Sequence, residues 1–274
     1  MEKKISIITI NYNNLKGLKR TIPSVLSQSY INYEYIVVDG GSNDGSKEYI
    51  ASQQQNITQW ISEKDNGVYN AMNKAVNMAT GEYCLFMNSG DHFFSSLALE
   101  DAVTEMKNED YFVGRTIVVE SDFASLVIPP QTMSFRFIRD KVLQHQSTFI
   151  KTQLLKEHPY DENLKIAADW AHFLENWYFN KCSYRAGSTI ISVYYADGIS
   201  FQNSKLLKEE RMLVLKNFFN SSLPHPKESK EIKRERINDD FIFKLKRAMK
   251  LKPIERDWKI LRNGFKFLWK DLFI

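Results

Sequence analysis

Two aspartates that follow short apolar runs are the first residues in this sequence whose placement suggests chemistry. Residues 33–38 form one run and end at Asp39, and residues 83–87 form another that leads through a short polar loop to Asp91. In an open α/β sheet, ligands bind at the carboxyl ends of the strands. Carboxylates at two such ends suit a nucleotide, a divalent cation or both. Each aspartate also fits a local role, in a turn or as a helix N-cap.

Three further residues are candidates on similar grounds. Asp65 follows a third apolar run and precedes a predicted helix, whose N-terminus favours anions, although capping that helix is the simpler role. Asp169 lies at the start of another predicted helix, where it fits either a general base or an acid that stabilises the helix dipole. His145 fits a phosphate contact or a metal ligand, and equally a structural histidine.

The spacing of apolar residues predicts the elements that carry these candidates. In the first half of the chain it predicts strands at 5–10, 33–38, 57–62 and 82–87, and helices at 15–28, 45–53, 67–78 and 97–106. Because strands and helices alternate, we expect βαβ units and a mostly parallel sheet sandwiched by helices, which is the α/β class.

Beyond residue 110 the pattern is looser. It predicts a hairpin from 111–119 and 123–128, helices at 133–141, 152–157 and 167–180, and a strand at 184–195. A hinge with two prolines follows at 221–227, and the chain is then basic and predicted to be helical. We therefore expect one domain over residues 1–220 and a helical extension at 221–274.

Composition and charge limit the function classes that remain. The 274 residues contain two cysteines, Cys84 and Cys182, which are too few for a disulfide framework and favour a reducing, cytoplasmic compartment. The first residues are too polar for a signal peptide, and no run reaches the ~20 apolar residues of a membrane-spanning helix. Residues 224–274 carry 15 Lys and Arg against 8 Asp and Glu, so the basic excess belongs to the tail. The body does not suggest nucleic-acid binding.

The tail has the pattern of an amphipathic helix. Apolar residues recur at spacings of three and four from Ile254 to Leu272, and Lys and Arg border them. Aromatic residues beside basic ones favour a helix that lies on an anionic membrane surface. Packing on its own domain, or on a second subunit to form an oligomer through the C-terminal helices, is the alternative. We expect a cytoplasmic protein that is peripheral on the inner face of the membrane.

Seven segments, taken in order, resemble the family-2 glycosyltransferases of the GT-A fold. The branch they resemble most builds bacterial surface polysaccharides such as colanic acid, O-antigen or capsule. The matching segments are ISIITINYN at 5–13, VVDGGSNDGS at 37–46, EKDNGVYNAMN at 63–73, ATGEY at 79–83, NSGD at 88–91, HQ at 145–146 and ADW at 168–170. Any one of these segments is a weak signal, but the ordered series is specific.

That resemblance implies an inverting transfer of a sugar from a nucleotide-sugar donor to a hydroxyl of a glycan or lipid-linked acceptor. It also implies that the domain has a nucleotide-binding half at about 1–110 and an acceptor half at about 111–220. The positions that match the family's nucleotide-binding motifs are Asn11, Asp39, Asp65 and Asn73. Asp169 matches the acid near the start of the late helix and would be the catalytic base. Such a base removes the proton from an acceptor hydroxyl, which is a poor nucleophile at neutral pH.

The sequence departs from the family pattern at the metal site. The Asp-x-Asp motif of the family falls on residues 88–90, where both acids are absent, so Asp91 is the remaining candidate ligand for a divalent cation, Mn²⁺ or Mg²⁺. Asn88 and His145 would line the donor and acceptor pocket. The family carries an arginine where this chain has Met72, which removes one phosphate contact.

Two other functions remain open on the sequence. A sugar nucleotidyltransferase also uses a nucleotide-binding α/β sheet, but it should carry a Gly-rich basic loop after the first strand, and residues 11–17 do not resemble one. A non-catalytic sugar-nucleotide-binding or scaffold protein at the membrane agrees with the absence of acids at positions 88 and 90. Turnover of the donor separates this second alternative from an enzyme.

Overall fold

The computed structural model describes residues 3–120, 123–196 and 203–220. The chain divides into two compact units, Met1–Ser222 and Leu223–Ile274. The predicted amphipathic tail belongs to the second unit and lies outside the described residues, so the tail and its membrane contact stay predictions. Over the ranges that the structure describes, no helix combines the length and the apolar character needed to cross a bilayer.

The first half of the chain alternates strands and helices, as the apolar spacing predicts. The strands are β1 (Ile5–Asn11), β2 (Tyr33–Asp39), β3 (Gln59–Ser62) and β4 (Tyr83–Phe86), and the helices are α1 (Leu15–Leu26), α2 (Ser46–Ser52), α3 (Val68–Met78) and α4 (Ala98–Glu105). A two-residue strand that the sequence did not predict, β5 (His92–Phe93), lies between β4 and α4.

The second half contains the predicted elements and two more. The predicted ones are β6 (Tyr111–Val119), β7 (Ala124–Val127), α5 (Phe135–Asp140), α6 (Thr152–Glu157), α7 (Ala168–Tyr178) and β9 (Tyr184–Tyr195). The additional elements are β8 (Thr148–Lys151), which follows a 3₁₀ turn at His145–Ser147, and helix α8 (Ser204–Asn220). β8 was missed because its four residues run directly into α6, with no Gly or Pro to mark the boundary.

The nine strands of the described residues belong to one sheet. Its order is β3-β2-β1-β4-β8-β6-β9-β5. β7 pairs with residues 116–119 of β6, beyond the part of β6 that pairs with β8. β1 to β4 are parallel, whereas β8 is antiparallel to both of its neighbours, β4 and β6. More residue pairs are parallel than antiparallel, and helices flank the sheet. The predicted α/β class is therefore confirmed, with β8 as an antiparallel insertion at the centre.

The core lies against the central strands. Every residue of β1 and of β4 is buried, as the mainly apolar composition of both segments suggests. Helix α1 covers this face with Leu18, Ile22 and Val25, which are spaced at three and four residues and are fully buried. A strand buried on both sides cannot alternate apolar and polar residues, which explains why these segments are recognisable from the sequence.

The buried carboxylate of Glu34 stabilises the turn that precedes β4. Glu34 is 3% exposed, and its side chain accepts hydrogen bonds from Ser6 Oγ at 2.5 Å, from the amide of Thr80 at 2.6 Å and from the amide of Gly81 at 2.9 Å. A Cβ atom at Gly81 would lie 2.7 Å from the backbone nitrogen of Ser6, so only glycine fits there. This cluster sets the start of β4, the strand that leads to Asp91.

Candidate active site

The register of β1, β2 and β3 brings three polar side chains together at the carboxyl edge. Asn11 pairs with Asp39, and Asp39 pairs with Ser62. The Asp39 carboxylate accepts hydrogen bonds from Asn11 Nδ2 at 2.7 Å, from Ser62 Oγ at 2.7 Å and from the amide of Ser42 at 3.0 Å. Sequence reasoning identified Asn11 and Asp39 as site residues. It missed Ser42, although this serine lies in the matching segment at 37–46, and it missed Ser62, which lies in none of the matching segments.

The Asp39 carboxylate is charged and is held in place by hydrogen bonds. Burial raises the pKa of its carboxyl, but hydrogen bonds from Ser42, Ser62 and Asn11 lower it more, so the pKa lies below its ordinary value. The side chain is fully buried, and each carboxylate oxygen already accepts two hydrogen bonds. A carboxylate offers about four acceptor sites. A nucleotide group that bonds to Asp39 therefore replaces one of the serine donors.

Asp65 stands beside the loop that follows β2. Its Oδ1 accepts from the amide of Gly67 at 3.0 Å, so it also makes the local contact expected at the start of α3. A Cβ atom at Gly40 would lie 2.5 Å from Asp65 Oδ2 and 3.2 Å from the ring of Tyr12. Tyr12 is 66% exposed. Asp65, Gly40 and the open face of Tyr12 thus surround one position next to Asp39.

The loop after β4 is held in place by helix α1. Asn14 Nδ2 donates to the carbonyl of Ser89 at 2.9 Å, and Thr21 Oγ1 donates to the carbonyl of Asp91 at 2.6 Å. Gly90 has φ of 111°, a conformation that glycine adopts without strain. These contacts place Asp91, which is 7% exposed, at the carboxyl end of the strand beside β1.

A chain of three side chains joins this loop to helix α7. Asn88 Nδ2 lies 3.2 Å from His145 Nε2, and His145 Nδ1 lies 3.6 Å from Asp169 Oδ2. His145 reaches this position because its 3₁₀ turn leads into β8, which lies directly beside β4. Asn88 and His145 are 57 positions apart along the chain, and His145 and Asp169 are 24 positions apart, yet their side chains are neighbours in the structure. The insertion of β8 creates this juxtaposition.

Asp169 accepts hydrogen bonds from donors on two helices, α3 and α7. Tyr69 Oη donates to its Oδ1 at 3.0 Å, and the amide of Trp170 donates to the same oxygen at 2.9 Å. Burial raises the pKa of Asp169, but His145 and Tyr69 lower it more, so the carboxyl titrates below its ordinary range. Burial lowers the pKa of His145, but Asp169 and Asp91 raise it more, so the imidazole keeps its proton to a higher pH than usual.

Asn73 has a different environment from the one its motif suggests. Its Nδ2 donates to the carbonyl of Tyr160 at 2.9 Å and to Glu162 Oε1 at 2.9 Å, and its Oδ1 accepts from the amide of Tyr160 at 3.0 Å. The side-chain amide is therefore occupied by protein groups. It ties helix α3 to the segment that precedes α7, so it supports the position of Tyr69 and Asp169.

The residues near Asp91 fit a cation that is bound mainly by a substrate. Among the residues described, there is no group of three or more His, Cys, Asp or Glu side chains that could hold a metal ion. Asn88 Oδ1 is, however, a buried oxygen with no hydrogen-bond partner, three residues from Asp91. Oxygen ligands suit Mg²⁺ and Mn²⁺, and Mg²⁺ commonly uses one or two carboxylates together with substrate phosphates. One carboxylate and one amide oxygen agree with that arrangement.

Comparison with solved structures identifies the architecture as that of the GT-A glycosyltransferases. Staphylococcus aureus TarS, residues 1–349 in complex with UDP-GlcNAc, matches with a TM-score of 0.67 and 19% sequence identity. The match covers 95% of this chain and 79% of the TarS chain. At that level of identity the likeness shows the fold alone. It confirms the fold expected from the ordered motifs.

The chain belongs to glycosyl transferase family 2, whose pattern matches residues 6–154. An uncharacterized glycosyltransferase, Rv1514c of Mycobacterium tuberculosis, is 34% identical over 172 residues, which cover 60% of this chain and 65% of that protein. The putative teichuronic acid biosynthesis glycosyltransferase TuaG of Bacillus subtilis is 37% identical over 91 residues, 32% of this chain and 36% of TuaG. The matched part thus spans less than two-thirds of the length of either relative.

Proposed function

We propose that this protein is an inverting glycosyltransferase that moves a sugar from a nucleotide-sugar donor to a hydroxyl of a glycan or lipid-linked acceptor in surface polysaccharide biosynthesis. The observation that carries the proposal is the contact chain from Asn88 through His145 to Asp169. This contact chain places the charged carboxylate of Asp169 beside the loop that bears Asp91. Strand β4 lies between this carboxylate and the polar edge around Asp39. The family membership argues against a nucleotidyltransferase.

The donor nucleotide is assigned to the edge of β1, β2 and β3. In this assignment Asp39 and Asp65 accept hydrogen bonds from the base or ribose, Asn11 orients Asp39, and the exposed ring of Tyr12 stacks on the base. Gly40 supports the assignment because the absence of a side chain leaves room for close approach. Asn73 is given the structural role that its contacts with Tyr160 indicate, in place of a nucleotide contact.

The chemical step is assigned to Asp169. The carboxylate accepts the proton of the acceptor hydroxyl as the oxygen attacks the anomeric carbon, and the diphosphate leaves from the opposite face. A single displacement of this kind inverts the anomeric centre and needs no covalent sugar–enzyme intermediate. Tyr69 and the Trp170 amide hold one oxygen of Asp169, which leaves the other oxygen to His145 and the acceptor.

Negative charge develops on the leaving diphosphate and has to be stabilised. When bound by Asp91 and the oxygen of Asn88, a divalent cation would act there as a Lewis acid. Asn88 Nδ2 donates to His145 Nε2, which leaves the Asn88 oxygen to the cation. The near neighbour Asp169 then keeps the imidazole oriented towards the loop that contains Asn88.

The acceptor and the location rest on the resemblance and on TuaG, whose name refers to teichuronic acid biosynthesis. A cytoplasmic enzyme that is held on an anionic membrane surface by its basic tail would meet a lipid-linked acceptor there. The same tail could join two subunits instead. Sedimentation with and without anionic vesicles, for the whole chain and for a chain ending at residue 222, distinguishes the two.

A donor screen followed by a turnover assay tests the proposed function. Thermal shift with UDP-, GDP-, dTDP- and CMP-sugars identifies the donor, and release of the nucleotide is then measured with and without Mn²⁺ or Mg²⁺. Slow donor hydrolysis that Asp169→Asn abolishes is the expected result. Nucleotide binding without turnover, in the presence of an acceptor panel, would instead support the non-catalytic binding protein, which the missing acids at positions 88 and 90 favour.

A further inference from the structure

Helix α8 holds the start of helix α7 through a buried carboxylate. Glu210 is 8% exposed, and its side chain accepts hydrogen bonds from the amide of Lys165 at 2.7 Å and from the amide of Ile166 at 3.0 Å. These residues lead into α7, whose N-cap residue, Ala167, has no side chain that can accept a hydrogen bond. Glu210 therefore fixes, from a different helix, the backbone that precedes Asp169.

The next residue of α8, Arg211, joins α7 to the segment that leads to His145. The guanidinium carbon of Arg211 lies 4.7 Å from the centre of the Trp170 ring, and its Nη2 donates to the carbonyl of Lys141 at 2.9 Å. Trp170 directly follows Asp169, and its indole N–H donates to a carbonyl of α5 at 2.6 Å. Lys141 directly follows α5 and lies four residues before His145. Arg211 thus connects the two segments whose side chains meet at the candidate base.

The chemistry of these contacts indicates more than attachment of a helix. Most of α8 is exposed, and Glu210 and Phe218 are the buried residues among those whose side chains the structure describes. Phe218 attaches the helix by apolar contact, since its ring centre lies 4.8 Å from that of Tyr178 and 4.9 Å from that of Phe179. Burial of a charged carboxylate costs free energy unless it is hydrogen-bonded, whereas an apolar side chain carries no such cost. Hydrogen bonds to two adjacent amides have defined distances and directions, so they fix where α7 begins.

The contact between Asp169 and His145 depends on the relative position of these two segments. Asp169 Oδ2 lies 3.6 Å from His145 Nδ1, and the other oxygen is held by Tyr69 and by the Trp170 amide. A shift of the start of α7 against the 3₁₀ turn that bears His145 would change the direction in which the free oxygen points. A misplacement of about 1 Å at a reacting group can cost about 10²-fold in rate.

We propose that Glu210 and Arg211 are positioning residues for the transfer step. Together they hold the first turn of α7 and the segment at 141–145 in a fixed relation, so that the Asp169 carboxylate faces the acceptor hydroxyl. This inference rests on the proposed function, because the role of Asp169 as the base is assigned there. Both residues act through backbone groups and through the Trp170 ring. The nucleotide edge lies on the far side of β4, so donor binding does not depend on them.

Steady-state kinetics of three variants of the full chain test the proposal, with hydrolysis of the donor that the nucleotide-sugar screen identifies as the reaction. Arg211→Leu removes the guanidinium, and Glu210→Gln sets an NH₂ group against one of the two amides. Each should lower the turnover number about tenfold or more, while the Michaelis constant for the donor changes by less than about twofold. Arg211→Lys keeps a cation and one donor near the Trp170 ring and should recover part of the loss. Unchanged turnover in Arg211→Leu and Glu210→Gln, or equal rates in Arg211→Lys and Arg211→Leu, would overturn the proposal.

Two control variants on the same helix separate positioning from stability. Glu209→Gln changes a neighbouring carboxylate that is 61% exposed, and it should keep wild-type turnover. Phe218→Leu weakens the apolar attachment of α8, so it should lower the melting temperature and leave the turnover number within about twofold of wild type. If Phe218→Leu slows turnover as much as Arg211→Leu does at an equal loss of melting temperature, Glu210 and Arg211 contribute only stability and the proposal fails.

An NMR measurement that needs no substrate distinguishes failure of this inference from failure of the proposed function. The chain has five tryptophans, so the indole N–H signal of Trp170 can be assigned with Trp170→Phe. Glu210 reaches Trp170 only through the backbone before α7, so a shift of this signal in Glu210→Gln, and none in Glu209→Gln, reports movement of the first turn. That shift, without turnover in wild type, would support the positioning and refute the reaction assigned to Asp169. Turnover that requires Asp169, with an unshifted Trp170 signal and full rates in Glu210→Gln, would leave the reaction standing and overturn the positioning.

Discussion

Replacement of Asp169 by asparagine isolates the proton-accepting role with little disturbance of the site. The Asn Oδ1 can still accept from Tyr69 Oη and from the Trp170 amide, which now bind Asp169 Oδ1 at 3.0 and 2.9 Å. Its NH₂ group would face His145 Nδ1, which then accepts, and the proton moves to Nε2. Asn88 Oδ1, a buried oxygen that now has no partner, is placed to accept that proton after rotation of its amide.

The expected loss follows from the chemistry that is removed. A positioned general base contributes about 10²–10⁴ in rate, which corresponds to roughly 3–5 kcal/mol of barrier. Donor affinity should change by less than about twofold, because Asp169 lies across β4 from the nucleotide edge and a twofold change is only about 0.4 kcal/mol. The carboxylate that raises the pKa of His145 is also lost, so the imidazole should titrate at a lower pH by NMR.

Turnover with saturating donor and acceptor measures the rate, and calorimetry with the donor measures affinity. Asp101→Asn is the matched control, since Asp101 is an exposed carboxylate on α4 that makes no contact with the site. The control should keep full turnover. Retention of more than about a tenth of wild-type turnover in Asp169→Asn would remove this residue from the base role. Equal losses of turnover and donor affinity would point to a folding defect or a donor contact.

Four other perturbations have defined outcomes. Asp39→Ala removes the carboxylate assigned to the nucleotide and should weaken nucleotide binding at least tenfold by calorimetry, about 1.4 kcal/mol. It also leaves Asn11 and Ser62 without their acceptor, so the free energy of unfolding should fall as well. Unchanged affinity would contradict the pocket assignment. Gly40→Ala would set a Cβ 2.5 Å from Asp65 Oδ2, so it should reduce nucleotide affinity with little change in melting temperature, and full affinity in this variant would argue against Asp65 as a ligand. Glu34→Gln places an NH₂ group against donors and should lower the free energy of unfolding by about 1–3 kcal/mol in urea titrations. Removal of divalent cations with EDTA should suppress turnover in wild type and Mn²⁺ should restore it, whereas undiminished turnover in EDTA would exclude a catalytic cation.

The pH dependence of stability has a definite sign at Glu34. Burial raises the pKa of its carboxyl, but hydrogen bonds from Ser6, Thr80 and Gly81 lower it more, so the folded-state pKa lies below the ordinary value of about 4.3–4.5. Its contribution to stability is therefore complete above that ordinary value and is lost as the pH falls through the folded-state pKa. Urea midpoints between pH 6 and pH 3 should fall more steeply in wild type than in Glu34→Gln, and parallel curves would contradict this account.

Local sequence patterns determined the elements and the positions of most candidate residues. Mainly apolar runs marked β1, β2 and β4 because both faces of these strands are buried, and three- and four-residue spacing marked α1 and α3. The polar residues Asn11, Asp39 and Asp91 follow the ends of such runs, so their location at one edge of a parallel sheet was predictable. These inferences need only neighbours along the chain.

Tertiary structure alone decided what those residues contact. β8 carries no local signal, yet its antiparallel insertion between β4 and β6 brings His145 between Asn88 and Asp169. The serine donors to Asp39, the engagement of Asn73 with Tyr160, and the contacts of α8 with the segments around the base likewise depend on strand register and helix packing over long sequence separations. Such contacts depend on the free energies of pairing and burying segments that are distant along the chain. The spacing of neighbouring residues does not reveal these free energies.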